Sequence, residues 1–109
     1  MSAEARLKQL GLTLPDVAAP TANYLPYRVA GSLLYLAGPG PKGPDGTSFT
    51  VKLGADVLLD EGYKRARVVG LQLLATTRIA LGSLDRVESV VKMLCRVNAV
   101  PEFKSHPQV

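Results

Sequence analysis

The period of the hydrophobic positions changes several times along the chain, and each change predicts an element. Ala3 to Leu10 reads as a short amphipathic helix with Leu7 and Leu10 on one side and Gly11 as its stop. Leu14-Pro15-Asp16-Val17-Ala18-Ala19-Pro20 combines two prolines with small residues and reads as a linker. Asn23 to Val29 has strand-like content, with Pro26 restricting it to an edge position or a bulge. Ala30-Gly31-Ser32 is a turn signal, and Leu33-Leu34-Tyr35-Leu36-Ala37 after it is apolar at every position. A strand that does not alternate is usually covered on both faces. In so short a chain one helix can cover one face, and the other requires a partner. That is the first indication of an oligomer.

Gly38-Pro39-Gly40-Pro41-Lys42-Gly43-Pro44-Asp45-Gly46 holds four glycines and three prolines and predicts a loop, with a short strand over Phe49 to Leu53 behind it. The loop is either a plain hairpin connection or a place where a ligand approaches the main chain closely. Asp60 to Leu81 gives the strongest signal. Leu59, Tyr63, Ala66, Gly70, Leu74, Thr77 and Leu81 recur at three- and four-residue steps and so share one helical face. Asp60, Lys64, Arg67 and Arg78 fall opposite, Asp60 and Glu61 suit the positive end of the helix dipole, and Gly82 suits the C′ position. Val90 to Val100 predicts the main strand. Val91, Met93, Cys95, Val97 and Ala99 form the face that should receive the helix, and Lys92, Leu94, Arg96 and Asn98 form the other. That second face is too apolar for open water and too charged for a monomer core, so it too suggests a meeting of subunits. Pro101 ends the strand.

Length and composition fit one small folded domain. The 109 residues are 47% hydrophobic and 20% charged, the balance of a folded chain. A core of this size stabilises only marginally, for which oligomerisation is a common remedy. The net charge is +4, but the thirteen lysines and arginines are dispersed. Lys64-Arg65-Arg67 is the single close cluster and has no aromatic to stack on a base, so a solvated helix face is favoured over nucleic-acid binding. No apolar run reaches the roughly 20 residues that span a bilayer, and Met1 to Leu10 has no secretory apolar core. A cytoplasmic location is the default expectation.

Candidate chemistry is sparse. A single cysteine, Cys95, excludes an intrachain disulfide and a thiolate zinc cluster, and its place on the helix-facing side of the strand predicts a buried structural thiol. His106 is the lone histidine and has no companion ligand, so no metal is expected. Asp60-Glu61 and Glu102 do not make an acid–base pair, because adjacent helix residues point apart. Gly38-Pro39-Gly40-Pro41 lacks the Gly-Lys-Ser/Thr signature of a phosphate loop.

The order of segments carries a resemblance. Asn23-Tyr24, then Gly31-Ser32-Leu33-Leu34-Tyr35-Leu36-Ala37-Gly38, a glycine- and proline-rich hairpin, a long helix, Leu81-Gly82-Ser83-Leu84-Asp85-Arg86-Val87-Glu88-Ser89-Val90-Val91-Lys92, and Val97-Asn98-Ala99-Val100-Pro101-Glu102-Phe103 follow one another as in the RidA (YjgF) family. With its N-terminal helix and proline linker the chain resembles the longer bacterial subgroup, labelled RidA-like or endoribonuclease L-PSP domain. The resemblance implies an α/β (α+β), chorismate-mutase-like half-barrel, a helix packed on a mixed sheet. It implies one domain over residues 1–109, with helix and linker over 1–20 and an incomplete core over 21–109. It also implies a homotrimer with small-molecule sites at the subunit interfaces, and hydrolysis of reactive enamines and imines to 2-keto acids and ammonia without metal or cofactor.

By the same resemblance Tyr24 matches the pocket tyrosine and Gly38 the glycine whose main chain lines the site. Ala37 stands where many members have serine and Pro39 where many have glutamine, which removes a hydroxyl and a backbone donor. The family arginine, which holds the substrate carboxylate in a bidentate grip, lies in an Arg-Ser motif beyond the second helix and has no equivalent here. The water-positioning glutamate is absent as well. Two expectations follow: the chain is a truncated form whose last helix and strands are missing, and its deaminase activity is impaired. The alternatives are a non-catalytic small-molecule-binding or interaction protein on the same trimer, and, behind it, an endoribonuclease.

Overall fold

Ser2 starts the first helix by accepting a 3.1 Å hydrogen bond from the Ala5 N–H through its hydroxyl, which satisfies one of the orphan donors of a helix start. In the computed structural model, which describes residues 1–17, 22–42, 52–55 and 58–109, helix α1 spans Ala3–Gln9, with Gly11 (φ +67°) past its end. Strands β1 (Tyr27–Ala30) and β2 (Leu33–Leu36) follow, then helix α2 (Leu59–Leu81) and two 3₁₀ turns, Leu84–Arg86 and His106–Gln108. The chain divides into two compact units, Met1–Pro39 with Leu71–Val90, and Gly40–Gly70 with Val91–Val109.

In the first unit β1 and β2 pair antiparallel, with Tyr27 opposite Leu36 and Ala30 opposite Leu33. Gly31 has φ +60° and Ser32 does not have a positive φ. That is the type II′ pattern, which needs glycine at the first central position and matches the twist of a hairpin. The expected strand from Asn23 therefore begins only at Tyr27. Pro26 has no N–H to donate, although its carbonyl accepts from the Ala37 N–H at 3.0 Å and carries the pairing one step further. Leu34 and Leu36 are half-buried while Leu33 and Tyr35 are exposed, so the uniformly apolar strand has one covered face within the chain. The buried residues of this unit are Leu7, Ala75, Thr77 and Leu84. Leu10, expected beside Leu7, is exposed, because the helix ends at Gln9 and the chain turns there.

Helix α2 forms over 23 residues where the periodicity predicted it, and Gly82 (φ +83°) closes it. Its buried face overlaps the expected one at Thr77 and departs from it elsewhere. Tyr63, Gly70 and Leu74 are exposed on the side of Asp60, Lys64 and Arg67, while Gly62, Ala75 and Thr77 are buried and Arg78 is half-buried. Gly62 precedes Tyr63 while Ala75 follows Leu74, so the packed positions depart from the expected stripe in both directions, by ~100° per residue. The cause is local. Arg78 is drawn into an ion pair (below), and the Leu53 side chain occupies the space beside Gly62, 2.6 Å from where a Cβ would stand.

In the second unit Leu53 is the buried anchor. Its N–H donates to the Asn98 carbonyl at 2.9 Å, and its own carbonyl accepts from the Val100 N–H at 3.0 Å, a single parallel bridge to Ala99. Gly54 (φ +87°) turns the chain directly after it, with Val100 Cγ2 2.6 Å from its would-be Cβ, so both conformation and space demand glycine. Of the expected strand Phe49 to Leu53, residues 49–51 lie outside the described residues. So do 18–20 of the linker and 43–46 of the glycine-rich loop.

The expected main strand is corrected. Among the described residues only Ala99, within Val90 to Val100, joins a bridge, and 87–98 carry no regular structure. Val91 and Met93, expected under the helix, are exposed, as are Val90 and Leu94. Alternation marks a segment as able to pair, but a strand exists only where another strand supplies the hydrogen bonds. The expected mixed sheet is accordingly a two-stranded antiparallel sheet plus one parallel bridge among the described residues. None of the helices described is long and apolar enough to cross a membrane.

Candidate functional site

The three residues singled out from the sequence sit around the open end of the hairpin. The Pro26–Ala37 hydrogen bond extends the ladder past Tyr27 and Leu36, so Tyr24 precedes the last pair by two residues and Gly38 follows it by one. Tyr24 is 44% exposed and its N–H donates to the Ala22 carbonyl at 2.9 Å, which holds it in a bend. Ala37 is half-buried, and its N–H is spent on Pro26. Gly38 is exposed, with nothing within 4 Å of a would-be Cβ, so its main chain is open to close approach. Pro39 adds no donor. Of the backbone donors along 37–39, only that of Gly38 is therefore available to a ligand.

The other residues considered are placed less suggestively. Cys95 is exposed, which corrects the expected buried thiol; its segment has no strand partner among the described residues to bury it against. The exposed His106 meets Phe103 edge-on, with ring centroids 5.1 Å apart. Arg65 pairs with Glu61 at 3.1 Å, one turn apart on α2, which breaks up the Lys64-Arg65-Arg67 cluster. Asp60 and Glu61 thus do not act as a pair of carboxylates. Among the described residues no group of three or more His, Cys, Asp or Glu side chains could hold a metal ion.

One constellation was not anticipated. Glu4, in the first turn of α1, accepts from Arg78 through both oxygens, Nε to Oε1 at 3.0 Å and Nη2 to Oε2 at 2.6 Å. The Leu84 N–H also donates to Oε1 at 3.0 Å, and the Glu4 N–H donates to Asp85 Oδ1 at 2.8 Å. A fork-to-fork pair with an added backbone donor is a strong arrangement for a carboxylate. The hydrogen bonds from Arg78, and after them the one from the Leu84 N–H, hold the Glu4 carboxyl below the ordinary glutamate range; Glu4 in turn raises Arg78. From sequence Glu4 resembles an ordinary acid at a helix start, and nothing local couples it to a residue 74 positions away. Beside this corner a cavity of about 210 Å³ is lined by Leu14, Pro15, Asp16, Val17, Ala75, Arg78 and Ile79.

A capped N-terminal helix, a tight hairpin and a long helix closed by glycine define an α/β chain, and comparison with known proteins says of which kind. Residues 4–109 match the family described as "YjgF/chorismate_mutase-like, putative endoribonuclease". The chain belongs to that family. It is 41% identical over 105 residues to Protein TCP17 of Trypanosoma cruzi, covering 96% of this chain and 66% of that protein. It thus spans a little under two thirds of the length of that curated relative. The crystal structure of a "putative endoribonuclease" from Shewanella oneidensis MR-1 is similar, with a TM-score of 0.86 and 34% identity over 99% of this chain and 72% of that one. Protein Atu1372 of Agrobacterium tumefaciens, whose structure is described as of unknown function, gives 0.76 and 34% over 96% and 64%. The fold is therefore the YjgF, chorismate-mutase-like α/β fold expected from the order of segments.

Proposed function

We propose that this protein handles reactive enamines and imines, with Tyr24, Ala37 and Gly38 forming one wall of a small-molecule site completed by a neighbouring copy in a homotrimer. The observation that carries this reading is the exposed Gly38 main chain beside an exposed tyrosine at the hairpin's open end. A planar carboxylate-bearing enamine needs a backbone donor and an aromatic wall, and both are at hand. The exposed faces of β2 and of residues 90–94 favour association with further copies, because apolar surface is costly to leave in water.

Turnover by these 109 residues is weak. The family's Arg-Ser grip on the carboxylate has no equivalent among them, and Arg78, the arginine with bidentate geometry, is already committed to Glu4. Ala37 and Pro39 favour a second reading, binding without hydrolysis, since each lacks a polar group that the family pocket often has. Ribonuclease action, the activity in the names of the family and of the Shewanella protein, draws less support. It needs a proton donor and acceptor about one phosphate, whereas His106 is set against Phe103 and Arg65 against Glu61.

The test is a coupled assay in which a pyridoxal-phosphate enzyme generates the enamine in situ, run beside titration of the protein with a 2-keto acid. Saturable binding at Tyr24 and Gly38 with slow 2-keto acid release is expected. Full-rate hydrolysis overturns the weak-turnover statement. RNA cleavage that survives stringent purification, with no binding at the hairpin end, overturns the whole reading.

A further inference from the structure

Helix α1 has seven residues, too few for a helix to persist alone in water, and Leu7 is its single buried side chain. Its place against the 3₁₀ turn at Leu84–Arg86 therefore depends on polar contacts, and these converge on one residue. Glu4 binds Arg78 of α2 by two hydrogen bonds and the Leu84 N–H by a third, while its own N–H is received by Asp85. Beyond α1, the backbone of Leu12 donates to the Leu7 carbonyl, and Leu14 to Val17 line the 210 Å³ cavity together with Ala75, Arg78 and Ile79.

We propose that residues 1–17 form a detachable strap, latched through Glu4, over the C-terminal turns of α2. With the latch closed, α1 is helical and residues 14–17 form one side of the cavity. With it open, α1 unwinds and bares Leu84 together with the α2 surface around Ala75. The charged groups about the latch are Arg78 on α2, Asp85 and Arg86 on the 3₁₀ turn, Asp16 on the strap, and Arg6 and Lys8 on α1. Arg6 is engaged with Gln9 at 2.7 Å and Arg86 with the Leu81 carbonyl at 2.9 Å, so neither competes for Glu4. Protonating Glu4 removes the charge that holds Arg78, and its lowered pKa keeps the latch shut until well into the acid range. The strap therefore responds to a competitor for Arg78, such as another carboxylate, at neutral pH, and to acid below the ordinary glutamate range.

Hydrogen exchange of the whole chain tests this. The N–H groups of Leu10, Gly11 and Leu12 donate to Arg6, Lys8 and Leu7 and report the strap, while that of Ala37 reports the hairpin. In the wild type the three strap amides exchange together, through an opening more frequent than the one that frees Ala37. Glu4→Gln accelerates them by about tenfold or more and leaves Ala37 unchanged. Arg78→Lys does the same, and the double variant adds little, because both remove one shared interaction. The proposal is overturned if the strap amides exchange in step with Ala37 in the wild type, if Glu4→Gln leaves them unaffected, or if that variant unfolds the whole chain.

Discussion

Two stretches of this chain contrast sharply. The corner of α1, the end of α2 and the Leu84–Arg86 turn is rich in charge, yet Glu4, Arg78, Asp85 and the Leu84 N–H find one another within the chain. Residues 87–98 are rich in valine, leucine and methionine, yet Val90, Val91 and Leu94 are 70%, 78% and 75% exposed. The polar corner is complete, and the apolar segment is not. Hydrophobic pattern states what a segment is able to bury; geometry decides whether anything is there to bury it. Specific polar contacts need only a few atoms correctly placed, which a 109-residue chain supplies for itself. A central strand needs neighbours along both edges and cover on both faces.

The contrast can be broken from either side. Truncating Leu84, which is 3% exposed, empties the centre of the corner. Leu84→Ala should cost about 2–5 kcal/mol, the range for buried leucine deletions, read as a lower urea midpoint. Gly54→Ala, in the second unit, should cost about 1–3 kcal/mol, since the new methyl meets Val100 and the backbone holds φ +87°. Lowering the pH sharpens the comparison next. Glu4 is more acidic when folded than when unfolded, so its contribution is full above the ordinary glutamate range and is lost as pH falls through its lower folded value. The protection of the α1 amides, taken relative to their intrinsic exchange at each pH, should fall over that interval, and Glu4→Gln should abolish that loss. The smallest effect is expected in the open segment. Val91→Ser with Leu94→Ser should leave unfolding of the dissociated chain within about 0.5 kcal/mol, while self-association, followed by sedimentation, weakens.

The sequence made α2 readable because its signal repeats over 23 residues and Gly82 punctuates it; the turn at Gly31 was readable because a two-residue hairpin admits few residues. The order of motifs from Asn23 to Phe103 sufficed for the family. What escaped were relations between distant residues. No local rule couples Glu4 to Arg78 or sets Leu53 beside Gly62, and these contacts fall off the expected stripe of α2, on which Tyr63 and Leu74 stay exposed. The strand over Val90 to Val100 was misjudged for the converse reason: its alternation was real, but pairing is a property of two segments. At the hairpin's end the sequence located Tyr24, Ala37 and Gly38 by likeness, and it could not show that the Ala37 N–H is already spent on Pro26.

The most direct test of the functional reading is an NMR titration of the protein with pyruvate, following the Gly38 amide and the Tyr24 ring. Saturable shifts at these two sites, with the Lys64 and Arg67 amides unmoved, are the predicted result. A titration in which Gly38 and Tyr24 stay still at protein-saturating pyruvate, or in which RNA and not the keto acid moves them, would contradict it.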